Sequence, residues 1–455
     1  MRARINLLIP KSYLKMYYNN YMKVILFYFL SVFMINIGYS QQEKKITLSD
    51  AILLSKKNNS DYIIAKMEKM KAERKVSEVY SENLVPTLTL NSRYVRSFKK
   101  QIISIFGETF EIGTDNAITT TLDISEPIPV LGTPVFTGIR IAEYYSQLQN
   151  EAVSQIETKI KADVTKSFYS VLLLKEVAEL NRQSIISREE NLRVVDARYR
   201  AGVALEYDVI RAKVAVETLR PQLIQSENNL TIAKKNLKTT IGLKDGTEVD
   251  ATGTLIFDST EVWGSMDEII KKISEKNVAI RQLNLSKKIN EQLVEIDYAN
   301  YLPRLFIFGQ YGLQASENDA TTISKYKFYN YTTAGIGLSW NLNLFRNSYK
   351  EDQSIIEVRK TEERITQVKA QLKLQSESTL LRLEDAKNRI KSQMELIMQA
   401  ERGLELANIS YKNGVLNQID VVDAELAVRQ IKLSYLQAIY DYLNARTDLE
   451  QLLEK

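Results

Sequence analysis

Apolar residues in the last third of the chain recur in steps that alternate between three and four. The series reads Leu383, Ala386, Ile390, Gln393, Ile397, Ala400, Leu404, Ala407 and Tyr411, polar only at Gln393. A turn signal follows over 412–417, with Gly414 just past the helical stretch. The series then resumes as Val421, Ala424, Val428, Ile431, Tyr435, Ala438, Tyr442, Ala445, Leu449 and Leu452. A three–four alternation is the heptad period, and it asks for helices that supercoil against neighbours. Small Ala alternating with larger side chains lets backbones approach. The pattern predicts two long antiparallel helices joined at a tight tip.

The same hairpin is written twice. Displaced by 212 residues, Tyr199, Gly202, Val203, Asp208, Val209 and Ala212 meet Tyr411, Gly414, Val415, Asp420, Val421 and Ala424. Displaced by 217, Asp50, Ile52, Pro86, Leu88, Leu90 and Tyr94 meet Asp267, Ile269, Pro303, Leu305, Ile307 and Tyr311. Two copies are too few for a solenoid and fit a duplicated protomer. The resulting plan is a first repeat over 41–243, a linker over 244–264 with Gly246, Gly253 and Gly264, and a second repeat over 265–455. Each repeat opens with a helix, the first one capped at Ser49 or Asp50 and running to about 83. Long helices are expected over about 138–199 and 347–411, and Pro221 should bend the return helix of the first copy.

A different period sits between the helices of each copy. Over 332–344, Ala334, Ile336, Leu338, Trp340, Leu342 and Leu344 alternate with Thr333, Gly335, Gly337, Ser339, Asn341 and Asn343. Gly and Asn are poor strand formers that a polar lumen tolerates. The run is long enough for a tilted membrane-spanning strand of about nine to eleven residues. Its partner is 303–314, and the first copy offers 86–98 with 117–128, joined, like the second pair, by polar exposed-loop sequence. A soluble half-buried sheet gives the same alternation. Four strands cannot close a barrel, so spanning strands must be completed by neighbours, and three chains give twelve. The expected fold is mainly α with a transmembrane β part: long helical hairpins plus four strands per chain in a twelve-stranded trimeric barrel, with internal duplication.

Composition removes most chemistry. The chain has no Cys and no His, which excludes thiolate nucleophiles, His triads, zinc sites with N or S ligands and disulfides. No carboxylate pair stands in a recognisable catalytic frame, so the expectation is no enzyme, no cofactor and no metal. The net charge of +5 comes from Arg2, Arg4, Lys11, Lys15 and Lys23; without them the remaining basic residues equal the 56 acidic ones. Nothing electrostatic points to nucleic acid. Those five lie in residues 1–40, where a Lys23-led apolar run over 24–37 ends in Gly38-Tyr39-Ser40, small at the −3 and −1 positions. This reads as a secretory signal peptide, with Met22 an alternative start; a membrane anchor helix is the other reading.

Taken together, the tip motifs ARYRAGVALEYDVIRAKV and ISYKNGVLNQIDVVDAEL, the duplicated frame and the strand pairs opening at Pro86 and Pro303 resemble outer-membrane efflux proteins of the TolC type. The resemblance covers nearly the whole mature chain. It implies a homotrimer in the outer membrane with a twelve-helix periplasmic tunnel, an α-barrel. Such a duct serves an efflux or secretion system, reached through a periplasmic adaptor (membrane fusion) protein and an inner-membrane pump or secretion transporter. It further implies that Asp420 and Asp423 form an acidic ring at the aperture, and that Tyr411 and Asp208 belong to the lock that holds it closed. Two acids in the first turn of a helix, and a seam residue, are the bland readings of these positions. The basic residue completing that lock corresponds here to Leu416. Gly202, Val203, Ala204, Leu205, Gly414, Val415 and Leu416 match the adaptor-docking tips. The competing architecture is a periplasmic adaptor or scaffold built on helical hairpins; an exported carboxylate hydrolase lacks any supporting constellation.

Overall fold

The computed structural model describes residues 44–130, 133–244, 247–260 and 263–454. The export signal expected within 1–40 lies outside the described residues. Two helices dominate: α3, Val135–Arg200, and α7, Leu344–Lys412, of 66 and 69 residues. At 1.5 Å per residue each is about 100 Å long. In the tip half each packs against its return helix, α3 on α4 (Glu206–Ile241) and α7 on α8 (Gln418–Leu453). Away from the tips α3 packs instead on α2 (Ser60–Leu84) and on α6 (Val278–Ala299), which also lies against α7. The heptad series marks the buried seam. Leu383, Ala386, Ile390 and Ala407 of α7 are buried, as are Val421, Val428, Ala438, Tyr442, Ala445, Leu449 and Leu452 of α8. Pro221 lies inside α4 without ending it.

The opening helix expected from 47 to about 83 is two helices, α1 (Leu48–Asn58) and α2, broken at Asn59. The cap of α1 is Thr47 rather than Ser49 or Asp50. Asp50 N donates to Thr47 Oγ1 at 3.3 Å, and Thr47 N donates back to Asp50 Oδ2 at 3.1 Å, a capping box. The second copy repeats the box at Ser265 and Glu268, opening α5 (Met266–Lys276) before the break at Asn277. These motifs lie 218 residues apart, so Asp50 corresponds to Glu268 and not to Asp267 as the 217-residue displacement had it, and the two copies differ by one residue between opening helices and strands. A small parallel pair, β1 (Lys44–Ile46) with β6 (Val249–Ala251), sits where the two copies join. There Asp250 is held by Lys175 and Lys234, each at 3.0 Å. Gly242 ends α4 with φ +82°, and a Cβ there would lie 2.5 Å from the Asn58 carbonyl oxygen. Only Gly fits that approach.

The remaining strands form an antiparallel sheet in the order β2 (Thr87–Arg96), β5 (Asn116–Pro127), β7 (Arg304–Glu317), β8 (Tyr329–Ser339). Its register pairs Leu90 with Leu122, Leu122 with Tyr311, Ile307 with Ile336 and Leu305 with Leu338. These residues therefore share one face, and Leu88, Leu90, Ile124, Ile307, Ile336 and Leu338 on it are exposed. The other face carries Asn91, Thr121, Asp123 and Gln310, with Asp123 accepting hydrogen bonds from the other three at 3.0, 2.8 and 2.6 Å. On that face Phe306 and Phe308 lie over Gly337 and Gly335, where a Cβ would fall 2.2 Å and 3.0 Å from the respective rings.

Two strand expectations are corrected. The strand written over 332–344 ends at Ser339, whose partner is Arg304. Pro303, with no N–H and a fixed φ, stands at the point where the ladder stops, and Leu344 already begins α7. Trp340 leaves the strand and donates from Nε1 to the Tyr301 carbonyl at 3.1 Å. The segment 99–116, expected as a polar loop, instead carries a hairpin, β3 (Gln101–Ile105) with β4 (Glu108–Ile112). Its turn puts Phe106 at φ 54° and Gly107 at φ 89°, the paired positive angles of a tight hairpin turn.

Candidate functional site

Both tips close in the same way. Helix α3 ends at Arg200, and Gly202 (φ +75°) donates to the Tyr199 carbonyl at 2.9 Å while Val203 N donates to the Arg198 carbonyl at 3.0 Å. At the end of α7, Gly414 (φ +75°) donates to Tyr411 at 3.0 Å and Val415 N to Ser410 at 2.9 Å. This bond pair is the Schellman motif, and it needs a left-handed residue at the glycine. The turn leaves apolar side chains outward. Val203, Leu205, Val415 and Leu416 are all exposed, and so are Gly202 and Gly414 beside them; Ala204 is half-buried.

The acids begin the return helices. Asp208 Oδ2 accepts from Leu205 N at 3.3 Å, and Asp420 Oδ2 accepts from Asn417 N at 3.0 Å. Each carboxylate thus satisfies an open N–H at the positive end of its own helix. Asp420 is half-buried, and Asp423, one turn on, is exposed. Among the described residues no hydrogen bond joins Asp208 to Tyr411. Tyr411 instead meets Arg198. The guanidinium lies 4.6 Å from the ring centroid, and Nη1 donates to the Tyr411 carbonyl at 3.1 Å. Sequence reasoning singled out Leu416 as the missing basic residue and did not see that Arg198, from the other hairpin, puts a cation on Tyr411.

Arg198 thus ties α3 to the end of α7, and beyond it a polar ladder runs between α3 and α8. Gln418 Nε2 donates to Asn191 Oδ1 at 3.3 Å. Arg188 donates from Nη2 to the Val422 carbonyl at 3.4 Å and faces Glu425 at 3.7 Å, with both side chains nearly buried at 10% and 13% exposure. That separation is an ion pair without a hydrogen bond, while Ser187 Oγ donates to Glu425 at 3.1 Å. Burial pushes the Glu425 carboxyl above its ordinary value, against the opposing pull of Arg188 and Ser187. Burial, then the nearby Arg188 charge, lowers Arg429, whose Nη2 donates to Gln222 of α4 at 2.5 Å. A cavity of about 190 Å³ lies beside these groups. No periodic pattern announces this cluster. Arg188, Glu425 and Arg429 read as ordinary surface charges until two helices 234 or more residues apart are brought together. Among the described residues no cluster of carboxylates could hold a metal, and no helix is long and apolar enough to cross a membrane.

A duplicated pair of long helical hairpins joined to a strand sheet with one apolar and one polar face defines a class of outer-membrane ducts. The chain belongs to the outer membrane efflux protein family, whose model matches it twice, over residues 57–243 and 269–454. It is similar to the cobalt-zinc-cadmium resistance protein CzcC of Cupriavidus metallidurans, 22% identical over 338 residues, 74% of this chain and 77% of that one. It is also similar to the outer membrane protein TolC of Escherichia coli, 18% identical over 428 residues, 91% and 84% of the two chains. Among solved structures, the outer membrane protein VceC from Vibrio cholerae superposes with a TM-score of 0.73 at 14% identity, covering 90% of this chain and 96% of that one. The family is one of efflux channels of the outer membrane, with a periplasmic part, and not of enzymes.

Proposed function

We propose that this chain is one of three identical protomers of an exit duct, whose four strands complete a twelve-stranded barrel and whose helical hairpins complete a periplasmic tunnel. The observation that carries this reading is the sheet. It has an exposed apolar face, a hydrogen-bonded polar face and, among the described residues, two unpaired edges, β2 and β8. Lipid suits the first face, water the second, and neighbouring copies the edges. The apolar tips at Val203, Leu205, Val415 and Leu416 dock on the hairpin tips of a periplasmic adaptor, which links the duct to an inner-membrane pump or secretion transporter. At the same end Asp420 and Asp423, repeated threefold, line the aperture, and Tyr411 and Asp208 take part in holding it closed. Mass measurement of the detergent-solubilised protein tests the assembly: a trimer is expected, and a monomer retaining full β content would overturn it. A hairpin scaffold in the periplasm, the alternative reading, would leave cells with the soluble fraction on osmotic shock, whereas the duct remains in outer membranes after a carbonate wash.

A further inference from the structure

The β3–β4 hairpin has two unlike faces. Ile103 pairs with Phe110 and Gln101 with Ile112, so Ile103, Ile105, Phe110 and Ile112 share one face. These four are 39% to 49% exposed. The opposite face carries Ser104, Thr109 and Glu111 around a lone Ile102. The root of the hairpin is fixed. Ser97 N donates to the Asp115 carbonyl at 2.8 Å, Lys100 pairs with Asp115 at 3.2 Å, and Arg96 pairs with Asp319 at 2.9 Å. Beyond that root, the only substantial packing of β3 and β4 among the described residues is on each other. A lone two-stranded hairpin is marginal in water, and an apolar face on one calls for cover.

Strand order says what lies beside it. The sheet runs β2-β5-β7-β8 and every neighbour is antiparallel, so β2 and β8 are edges that run in opposite directions. Closing such sheets in a ring pairs β2 of one copy with β8 of the next, again antiparallel. The end of β2, from which the hairpin springs, then lies beside the start of β8 in the next copy. That start is Tyr329, with Phe328 immediately before it, 68% and 54% exposed in the single chain. We propose that the apolar face of the β3–β4 hairpin is a docking surface for a second copy of this chain, seated on that copy's Phe328–Tyr329 pair. The inference rests on the trimeric reading above. It makes the hairpin a clasp across each seam at the end of the sheet away from the helices.

The chain has no cysteine, so engineered thiols are the only ones present. The test oxidises outer membranes containing full-length Ile103→Cys/Phe328→Cys and runs them unreduced in denaturing gels. A ladder of covalent dimers and trimers is expected. Each single variant, and the polar-face pair Thr109→Cys/Phe328→Cys, should stay monomeric. The mass of the same variants in detergent is measured alongside. A trimer by mass that gives no ladder from either Ile103→Cys or Phe110→Cys paired with Phe328→Cys overturns the clasp and leaves the trimer standing. A ladder from Ile103→Cys alone also overturns the seat, because hairpins would then be meeting one another. A monomer by mass overturns both readings.

Discussion

Asn59 and Asn277 hold the same place in the two halves of the chain and make the same three connections. Each ends one helix and begins the next: Asn59 Oδ1 accepts from Asp61 N at 2.9 Å, and Asn277 Oδ1 from Ala279 N at 3.0 Å. Each also donates from Nδ2 to the far end of its repeat's return helix, Asn59 to the Thr240 carbonyl at 3.0 Å and Asn277 to the Leu452 carbonyl at 3.2 Å. Thr240 and Leu452 are themselves separated by the 212-residue displacement of the tips. One amide therefore caps a helix start and satisfies a helix end.

Asn277 is 7% exposed, so its loss leaves groups that water does not reach. Asn277→Ala should lose about 1 kcal/mol for the cap and roughly as much again for the unpaired carbonyl. Asn277→Asp keeps an acceptor for Ala279 N but cannot donate to Leu452. Thermal melts of helical circular dichroism should show both variants lowered. If Asn277→Asp melts like wild type, the tie to Leu452 contributes nothing.

This break shows where sequence reasoning stops. The heptad series identified the seam residues because helix packing repeats every seven positions along one chain. The alternation of Ala334, Ile336 and Leu338 with Gly335, Gly337 and Ser339 placed an apolar face because strand side chains point to opposite sides in turn. Asn59 interrupts a stretch whose composition stays helical, and its reason lies at Thr240, 181 residues away. The β3–β4 hairpin was hidden because Phe106-Gly107 is a weak turn signal and its strands, Gln101–Ile105 and Glu108–Ile112, are only five residues each inside a segment read as loop. Arg198 lay in plain sight in the tip motif, yet its target Tyr411 is 213 residues on. Local periods are legible, whereas pairings made by the meeting of two hairpins are not.

Glu425 should make the helical part pH-sensitive in a defined direction. Its folded carboxyl binds a proton more tightly than in the unfolded chain, where the ordinary value is near 4.5. The native state therefore holds more protons in the window from 4.5 up to the raised value. Stability from this group is complete below that window and is lost as pH rises through it. Glu425→Gln removes the ionisation and keeps an acceptor for Ser187. The variant should match wild type at about pH 4 and melt higher at about pH 8. A constant difference at both pH values would mean that Glu425 titrates like a surface acid.

Ile336 and Thr333 project from opposite faces of β8, since they are three positions apart on a strand and side chains alternate. Ile336 lies on the apolar face beside Ile307, and Thr333 lies on the polar face beside Gln310. If lipid covers the first face, Ile336→Arg should weaken insertion by roughly 2–4 kcal/mol near the midplane. Thr333→Arg, facing water, should insert normally and alter conductance instead. The yield of folded protein in outer membranes measures the first effect and planar-bilayer recording the second. Equal insertion of both variants would remove the assignment of faces.

Asp420 and Asp423 test the aperture. Asp420 accepts from Asn417 N through Oδ2 alone, which leaves Oδ1 for a second partner, and Asp423 is exposed. Three copies around a narrow opening would crowd six carboxylates, favouring cations and binding multivalent ones. Asp420→Asn/Asp423→Asn should reduce cation selectivity and abolish block by multivalent cations added from the periplasmic side. Arg198→Ala probes closure separately. It removes the cation from the Tyr411 ring and the donor to its carbonyl, two contacts that join the hairpins. On the proposed aperture reading, Leu416 stands where the lock would have a basic residue, and Arg198 supplies a cation at Tyr411 instead. Its removal should raise the resting conductance of the reconstituted channel without changing selectivity. Unchanged selectivity in the Asp variants would return both acids to helix stabilisation. Unchanged conductance in Arg198→Ala would place the closure elsewhere along the ladder, at Arg188 and Glu425.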